Sequence, residues 1–330
     1  MDISFDLSKV SKFRTQLMGI ATLLIVLCHA NIYPIDAPAT IRKLLAFGNA
    51  GVDIFLFLSG VGIFYSLNEG GRFNLLKWYR KRYLRILIPY ALMQIPYWGY
   101  FIAIGKFDIV DSLYEFSTLA FWGAHTAMWF IALLLPLYLL SPLMYDMFCN
   151  SKRRYLYAFL SIATLLILYK IPVSFENATL YNIVGNIQFA FVRVVSFILG
   201  LTVANDIKQG KEVNSIVLMS VSVGMWLVCK LAGVISNWCI AIILIVISIY
   251  IIEALQEKGV FYKFLTLMGV LSLEMYLANG YIRYAFIDSP LYTLDIRLFT
   301  GHYFDYVLIF LMSIVLSLGV NYLTKKISRQ

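Results

Sequence analysis

Ten mostly apolar stretches, each about as long as a membrane-crossing helix, recur along a chain of 330 residues, and that recurrence decides the fold class. An α-helix satisfies its own backbone donors and acceptors, so roughly 20 apolar residues cross a hydrocarbon core of about 30 Å. The stretches lie near 16–34, 46–67, 86–104, 127–148, 155–171, 184–204, 214–232, 238–254, 265–285 and 303–324. They are continuous rather than alternating, which argues against a β-barrel. With 61% hydrophobic and 14% charged residues, an ordinary soluble domain is excluded. No Pro/Gly/Ser-rich linker interrupts the series. The expectation is one all-α, polytopic transmembrane helical bundle over residues 1–330, multi-pass in the bilayer.

A net charge of +9 invites a nucleic-acid reading, but its placement speaks against one. Of the 27 lysines and arginines, 19 fall before the first span or after the even-numbered spans. The positive-inside rule therefore accounts for most of the basicity and puts both termini in the cytoplasm. The first apolar run is too long for a signal-peptide core and lacks a small-x-small cleavage site. Leu27 before Cys28 speaks against a lipoprotein cysteine. The four cysteines, Cys28, Cys149, Cys229 and Cys239, lack paired spacing and read as small hydrophobes. Asn177-Ala178-Thr179 fits a glycosylation sequon, meaningful only in a eukaryotic host. Walker, Rossmann, zinc-finger and EF-hand patterns are absent, no internal repeat is visible, and no metal site or resident cofactor is expected.

Two polar features stand out against this background. His29 lies near the outer end of the first span and Asp53 at the start of the second, at similar depth across a short link. An ionisable group inside a bilayer costs about 2.5 kcal/mol or more and usually marks function. A carboxylate accepting from one imidazole nitrogen would make the other a better base. The competing reading is a polar pair that joins two helices. On the cytoplasmic side, Lys77-Trp78-Tyr79-Arg80-Lys81-Arg82-Tyr83-Leu84-Arg85 is first a topology signal and an anionic-lipid contact. Arg82 and Arg85 share a helix face, however, and paired guanidiniums suit phosphate oxygens.

Together these residues resemble the membrane-bound acyltransferase 3 family. Gly19-Ile20-Ala21-Thr22-Leu23-Leu24-Ile25-Val26-Leu27-Cys28-His29 is similar to its first helix. Gly51-Val52-Asp53-Ile54-Phe55-Leu56-Phe57-Leu58-Ser59-Gly60 resembles its second and is the most specific match. Arg82-Tyr83-Leu84-Arg85-Ile86-Leu87-Ile88-Pro89 resembles its Arg-x-x-Arg segment with the following proline. Met128-Trp129-Phe130-Ile131 with Tyr138 and Pro142, then Ser272-Leu273-Glu274-Met275-Tyr276-Leu277, resemble later signatures in family order. The resemblance implies transfer of an acyl group, commonly acetyl from acetyl-coenzyme A, to an extracytoplasmic hydroxyl. The expected partners are acyl-coenzyme A and a surface polysaccharide or lipid-linked saccharide. The expected location is the bacterial cytoplasmic membrane. Some relatives carry a fused hydrolase-like domain for a second transfer. With the chain ending at Gln330, direct transfer to saccharide is the simpler expectation. His29 and Asp53 would be catalytic, and Arg82 and Arg85 would hold the donor.

The chain departs from the family at two positions. Relatives often carry an arginine eleven residues before the histidine, about 16 Å away on nearly the same face, where this chain has Met18. Arg14, one turn further towards the cytoplasm, is the candidate to reach back as a third donor residue. Asn279 stands near a position where relatives often carry histidine. Trp129, Arg193, Glu274 and Asn279 are candidates for the acceptor site or tunnel, with Arg193 the natural charge partner of mid-span Glu274. The bland alternative for that pair is a brace between spans 6 and 9. His125 reads as interfacial and His302 as solvated, while Tyr292, Tyr303 and Tyr306 read as interface-belt residues. Two other functions compete with acyl transfer. In a transporter or flippase, Arg193 and Glu274 would line the path and His29 with Asp53 would relay protons. In a scaffold subunit, these groups would be purely structural.

Overall fold

The computed structural model describes residues 4–30, 38–70, 74–124, 128–255, 257, 259–288 and 302–328, without side chains at 284–288 and 302–305. After a short strand β1 (Ser4–Asp6) come helices α1 (Ser8–Lys12), α2 (Arg14–His29), α3 (Ala39–Ala46) and, past one 3-10 turn, α4 (Ala50–Asn68). There follow α5 (Leu75–Ala103), α6 (Ile109–Phe116), α7 (Leu119–Ala124), α8 (Trp129–Tyr145) and α9 (Arg154–Tyr169). The chain continues with α10 (Ala178–Gln209), strand β2 (Glu212–Asn214), α11 (Ser215–Leu231) and α12 (Asn237–Ala254). It ends with α13 (Val260–Val270), α14 (Ser272–Asp288) and α15 (His302–Ile327).

Local sequence explains many of these boundaries. Asn74, Asn177 and Asn214 each accept from a backbone N–H three residues on, at 2.9–3.0 Å, starting α5, α10 and α11. The sequon asparagine, Asn177, is therefore a helix cap. Gly210, at φ +63°, ends α10 in the left-handed conformation that glycine adopts without strain.

Helix α4 is the centre of the bundle. It is apolar all round, as a fully enclosed helix must be, and it packs on α2, α8, α10 and α12. Glycines allow the closest approaches. A Cβ on Gly60 would overlap the carbonyl of Phe197, and one on Gly200 the carbonyl of Phe57. Gly19 and Gly269 let α2 and α13 meet in the same way, against Leu265 and Thr15. Close backbone packing by small residues replaces the hydrophobic drive that lipid cannot provide. Gly200→Ala is accordingly expected to lower the yield and thermal stability of folded protein in detergent, because the obstructing atoms are backbone and cannot swing aside. A melting profile equal to wild type would show that α4 and α10 have slack.

Six helices are long and apolar enough to cross a membrane: Ala39–Asn68, Leu75–Ala103, Trp129–Asn150, Ala178–Gln209, Asn237–Ala254 and Tyr306–Ile327. The expected spans 1, 5 and 7 are the shorter apolar helices Arg14–His29, Arg154–Tyr169 and Ser215–Leu231. The expected straight helix over 265–285 is instead a broken pair, α13 and α14, bent by 75°. Gly269 and Ser272 flank the break, the residue types at which helices kink. Gly269 is also pinned on α2, so α14 leaves in a new direction. The molecule is an all-α integral-membrane bundle in which Ser272 opens a helix at mid-bundle.

One end of the bundle is fastened by polar contacts. β1 and β2 pair antiparallel, with Ser4 opposite Asn214 and Asp6 opposite Glu212. Lys9 meets Glu253 at 2.9 Å, and Asp206 binds Arg154 at 2.8 Å as well as Lys211 and Tyr155. Ser8 donates to Asp6 through its backbone and its hydroxyl, both at 2.7 Å, which holds that carboxyl below its usual range. These contacts gather the start of α9 and the ends of α10 and α12 around the N-terminus. It is the end to which the sequence assigns the basic residues.

Candidate active site

From the basic end, a partly open cavity of about 80 Å³ leads into the bundle. Arg14, the first residue of α2, lines its mouth with Arg82 and Arg85 of α5. The guanidinium of Arg82 donates to the Gly62 carbonyl at 3.1 Å, and that of Arg14 reaches the Leu58 carbonyl at 3.4 Å. Both are thus drawn to one face of α4, where Gly62 leaves room for Arg14. Trp78 supports Arg82 from 5.8 Å and is itself fixed by donating to the Ser66 hydroxyl at 2.9 Å. None of the described residues lining this cavity is acidic. Three guanidiniums and no carboxylate make a receptor for an anion with several oxygens, such as a phosphate. Met18, in the place of the family arginine, lines the same cavity, so Arg14 brings a guanidinium to the wall that the departure left without one.

A second, tightly packed crevice holds His29 and Asn279 and leaves no room for a free water molecule. Phe55, Ser272 and Tyr276 line both cavities, so the two adjoin across these residues. Phe130 packs between the two rings, 6.1 Å from Phe55 and 5.4 Å from Tyr276. The bend at Leu271 is what turns Ser272 and Tyr276 to this junction. His29 Nδ1 and Asn279 Oδ1 are 2.9 Å apart. An amide oxygen only accepts, so Nδ1 carries the proton and Nε2 keeps its lone pair. The imidazole is thereby held in the tautomer a general base requires.

The carboxylate–imidazole contact expected from sequence is not made. Asp53, 1% exposed, is engaged by α10: Arg193 pairs with one oxygen and Ser196 donates to the other at 2.8 Å. Arg193 also donates to Asn49 Oδ1 at 3.0 Å and lies over the rings of Trp129 and Phe189. The brace expected between Arg193 and Glu274 is likewise replaced. Glu274 turns to α15, where Asn321 donates to it at 2.8 Å. The physical reason is the same in both cases. Charge matching alone does not choose among helices, whereas the tight α4–α10 crossing at Gly60 and Gly200 carries Arg193 to Asp53. Arg193, Glu274 and Trp129 line neither cavity. Tyr306 is not a belt residue, since it is buried and donates to the Val26 carbonyl on α2. His125 and Tyr292 lie outside the described residues, as do the side chains of His302 and Tyr303.

Sequence reasoning named His29, Arg14, Arg82 and Arg85, which line these cavities, but missed Asn49, Ser196 and Arg283. Asn279, expected as a departure from the family and a candidate for the acceptor site or tunnel, instead faces His29 directly. The available signal was spacing: Asn279 and Arg283, four apart, share a face of α14 with Tyr276 one turn and Ser272 two turns before Asn279.

Comparison with known sequences supports the same reading. The model of a family described as an acyltransferase domain, the acyltransferase 3 model, matches residues 17–326. Neither the curated proteins nor the solved structures compared give a significant match. With the match covering nearly the whole chain, from the first turn of α2 to the last turn of α15, this protein belongs to the acyltransferase 3 family of membrane acyltransferases.

Proposed function

We propose that the protein moves an acyl group, acetyl in the simplest case, from acyl-coenzyme A to a hydroxyl of an extracytoplasmic saccharide or glycolipid. It would do so in the bacterial cytoplasmic membrane, with both termini on the cytoplasmic side. The observation that carries this reading is a three-arginine cavity that shares Phe55, Ser272 and Tyr276 with the closed crevice of an oriented imidazole. The phosphates of the donor sit at Arg14, Arg82 and Arg85, and the thin pantetheine arm extends inward past Phe55, Ser272 and Tyr276. Arg14 and His29 open and close one helix, fifteen residues or about 22 Å apart, the scale of such an arm. At the inner end His29 Nε2 takes the proton of the acceptor hydroxyl as its oxygen attacks the thioester carbonyl. The adjoining aromatic junction keeps water from the thioester until the arm fills it. A transport path through Arg193 and Glu274 is not favoured, because both are buried in pairings away from the cavities.

Arg82→Lys and Arg85→Lys test the donor assignment. Lysine keeps the charge, and so the topology signal, but loses bidentate geometry. The apparent KM for acetyl-coenzyme A is expected to rise about tenfold, equivalent to about 1.4 kcal/mol, with the acceptor KM within about twofold of wild type. A raised acceptor KM alone would put the acceptor on the cytoplasmic side and reverse the direction of transfer. An unchanged donor KM in both variants would leave the arginines a topological role only.

A further inference from the structure

Asn279 meets His29 with its carbonyl oxygen only. Its other end, the Nδ2 amide, is buried on a residue 1% exposed and makes no well-aligned hydrogen bond, the nearby Tyr306 hydroxyl being turned to the Val26 carbonyl. An unpaired buried donor costs about 1–3 kcal/mol, and an orphan of this kind in a native site needs a reason. The wall around it is mostly apolar, with Ile25, Val26, Phe55 and Met275; of its hydroxyls, Thr22 is turned to the Met18 carbonyl and Tyr276 accepts from the Phe130 N–H. If orienting His29 were the whole task, a side chain with an acceptor and no stranded donor would serve better.

Acyl transfer supplies the missing partner, and the inference rests on that reading. As the acceptor oxygen bonds to the acyl carbon, the carbonyl oxygen becomes an oxyanion. A donor already fixed in a water-poor site stabilises that charge far more than one in water. We infer that Asn279 is a catalytic residue: its Nδ2–H donates to the oxyanion of the tetrahedral intermediate while its Oδ1 holds His29 Nδ1–H. One planar amide then sets the base and the carbonyl oxygen relative to each other. Arg283, one turn along the same face of α14 and 3% exposed, interacts electrostatically with His29 and adds positive charge on this side.

The step balances without another reactant. The acceptor hydroxyl forms the new C–O bond and its proton passes to His29 Nε2. The negative charge moves to the former carbonyl oxygen, held by Asn279. Collapse restores C=O and breaks the C–S bond, and the proton passes from His29 to the thiolate sulfur. Coenzyme A leaves as the thiol, the acceptor as its ester.

The two ends of the amide separate by substitution. Asn279→Asp keeps an acceptor for His29 Nδ1–H, and a stronger one, but removes the donor. Asn279→Ala removes both, and Asn279→Gln keeps both one methylene further out. Full-length protein in liposomes is assayed with labelled acetyl-coenzyme A and the glycan fraction of its host membranes. Retained coenzyme A binding at the remote cationic mouth serves as the check on folding. Asn279→Asp is expected to lower kcat by about 10²–10³-fold, the range for losing one oxyanion donor, with the donor KM within about twofold. Asn279→Ala should be no better, and Asn279→Gln should exceed Asn279→Asp by about tenfold. An Asn279→Asp enzyme near the wild-type kcat would overturn the inference and leave Asn279 as a positioning residue for His29. If Asn279→Asp does not fold, Asn279→Gln decides against Asn279→Ala, and equal kcat for those two overturns the inference as well. Wild-type protein that neither binds coenzyme A nor transfers label would instead overturn acyl transfer itself.

Discussion

His29→Ala is expected to lower acyl transfer by about 10²–10⁴-fold, the usual contribution of a general base, while membrane abundance and coenzyme A binding stay near wild type. His29 occupies the last position of α2, so its removal interrupts no helix. Its side chain hydrogen-bonds to Asn279, at 2.9 Å. Arg14 lies about 22 Å away at the other end of the same helix and lines the donor cavity with Arg82 and Arg85 of α5, which is why binding should survive. Retained transfer by the alanine variant would remove His29 from the chemistry. The same assay without acceptor separates its two possible tasks. A burst of free coenzyme A equal to the enzyme present would mean that Nε2 itself carries the acyl group, and its absence would mean direct attack with His29 as base.

Much of this site was legible in the sequence because it rests on residues that a membrane helix does not otherwise hold. A histidine at the end of an apolar run, two arginines three apart at a helix entry and a carboxylate in a first turn each violate the composition of their surroundings. Arg14 was legible by helix geometry, as the nearest guanidinium to the wall that Met18 leaves uncharged. The span pattern was legible for the same reason, apolar length. What remained hidden was which helix faces which. His29 and Asp53 are matched in depth and close in sequence, yet α4 turns its carboxylate to Arg193, more than a hundred residues away, since Gly60 and Gly200 fix that crossing. The break between α13 and α14 was hidden too. Gly269 and Ser272 are unremarkable in an apolar run, and only their packing on α2 makes the bend that turns Asn279 towards His29. Asn279 was legible as a departure from the family and a candidate for the acceptor site or tunnel, but not as the partner of His29, because that ring is supplied by another helix.

Asp53→Ala is expected to destabilise the folded bundle by about 3–5 kcal/mol, the range for removing one partner of a buried ion pair. Arg193 would then keep its charge at 2% exposure with Asn49 and two aromatic rings as its remaining company. The readout is folded yield and thermal unfolding in detergent. Lost stability would by itself explain lost transfer, because Asp53 precedes by two residues Phe55, which lines both cavities. The double variant Asp53→Leu with Arg193→Met resolves the two causes. Replacing a buried pair by apolar side chains of similar volume is often neutral or stabilising, so folded yield is expected to return. If Asp53 acts by fixing α4 on α10, transfer returns with it, at least to within about tenfold of wild type. If yield returns and transfer stays absent, the Asp53 carboxylate contributes to the chemistry at His29 across the α2–α4 contact, and the pairing with Arg193 is only half of its role.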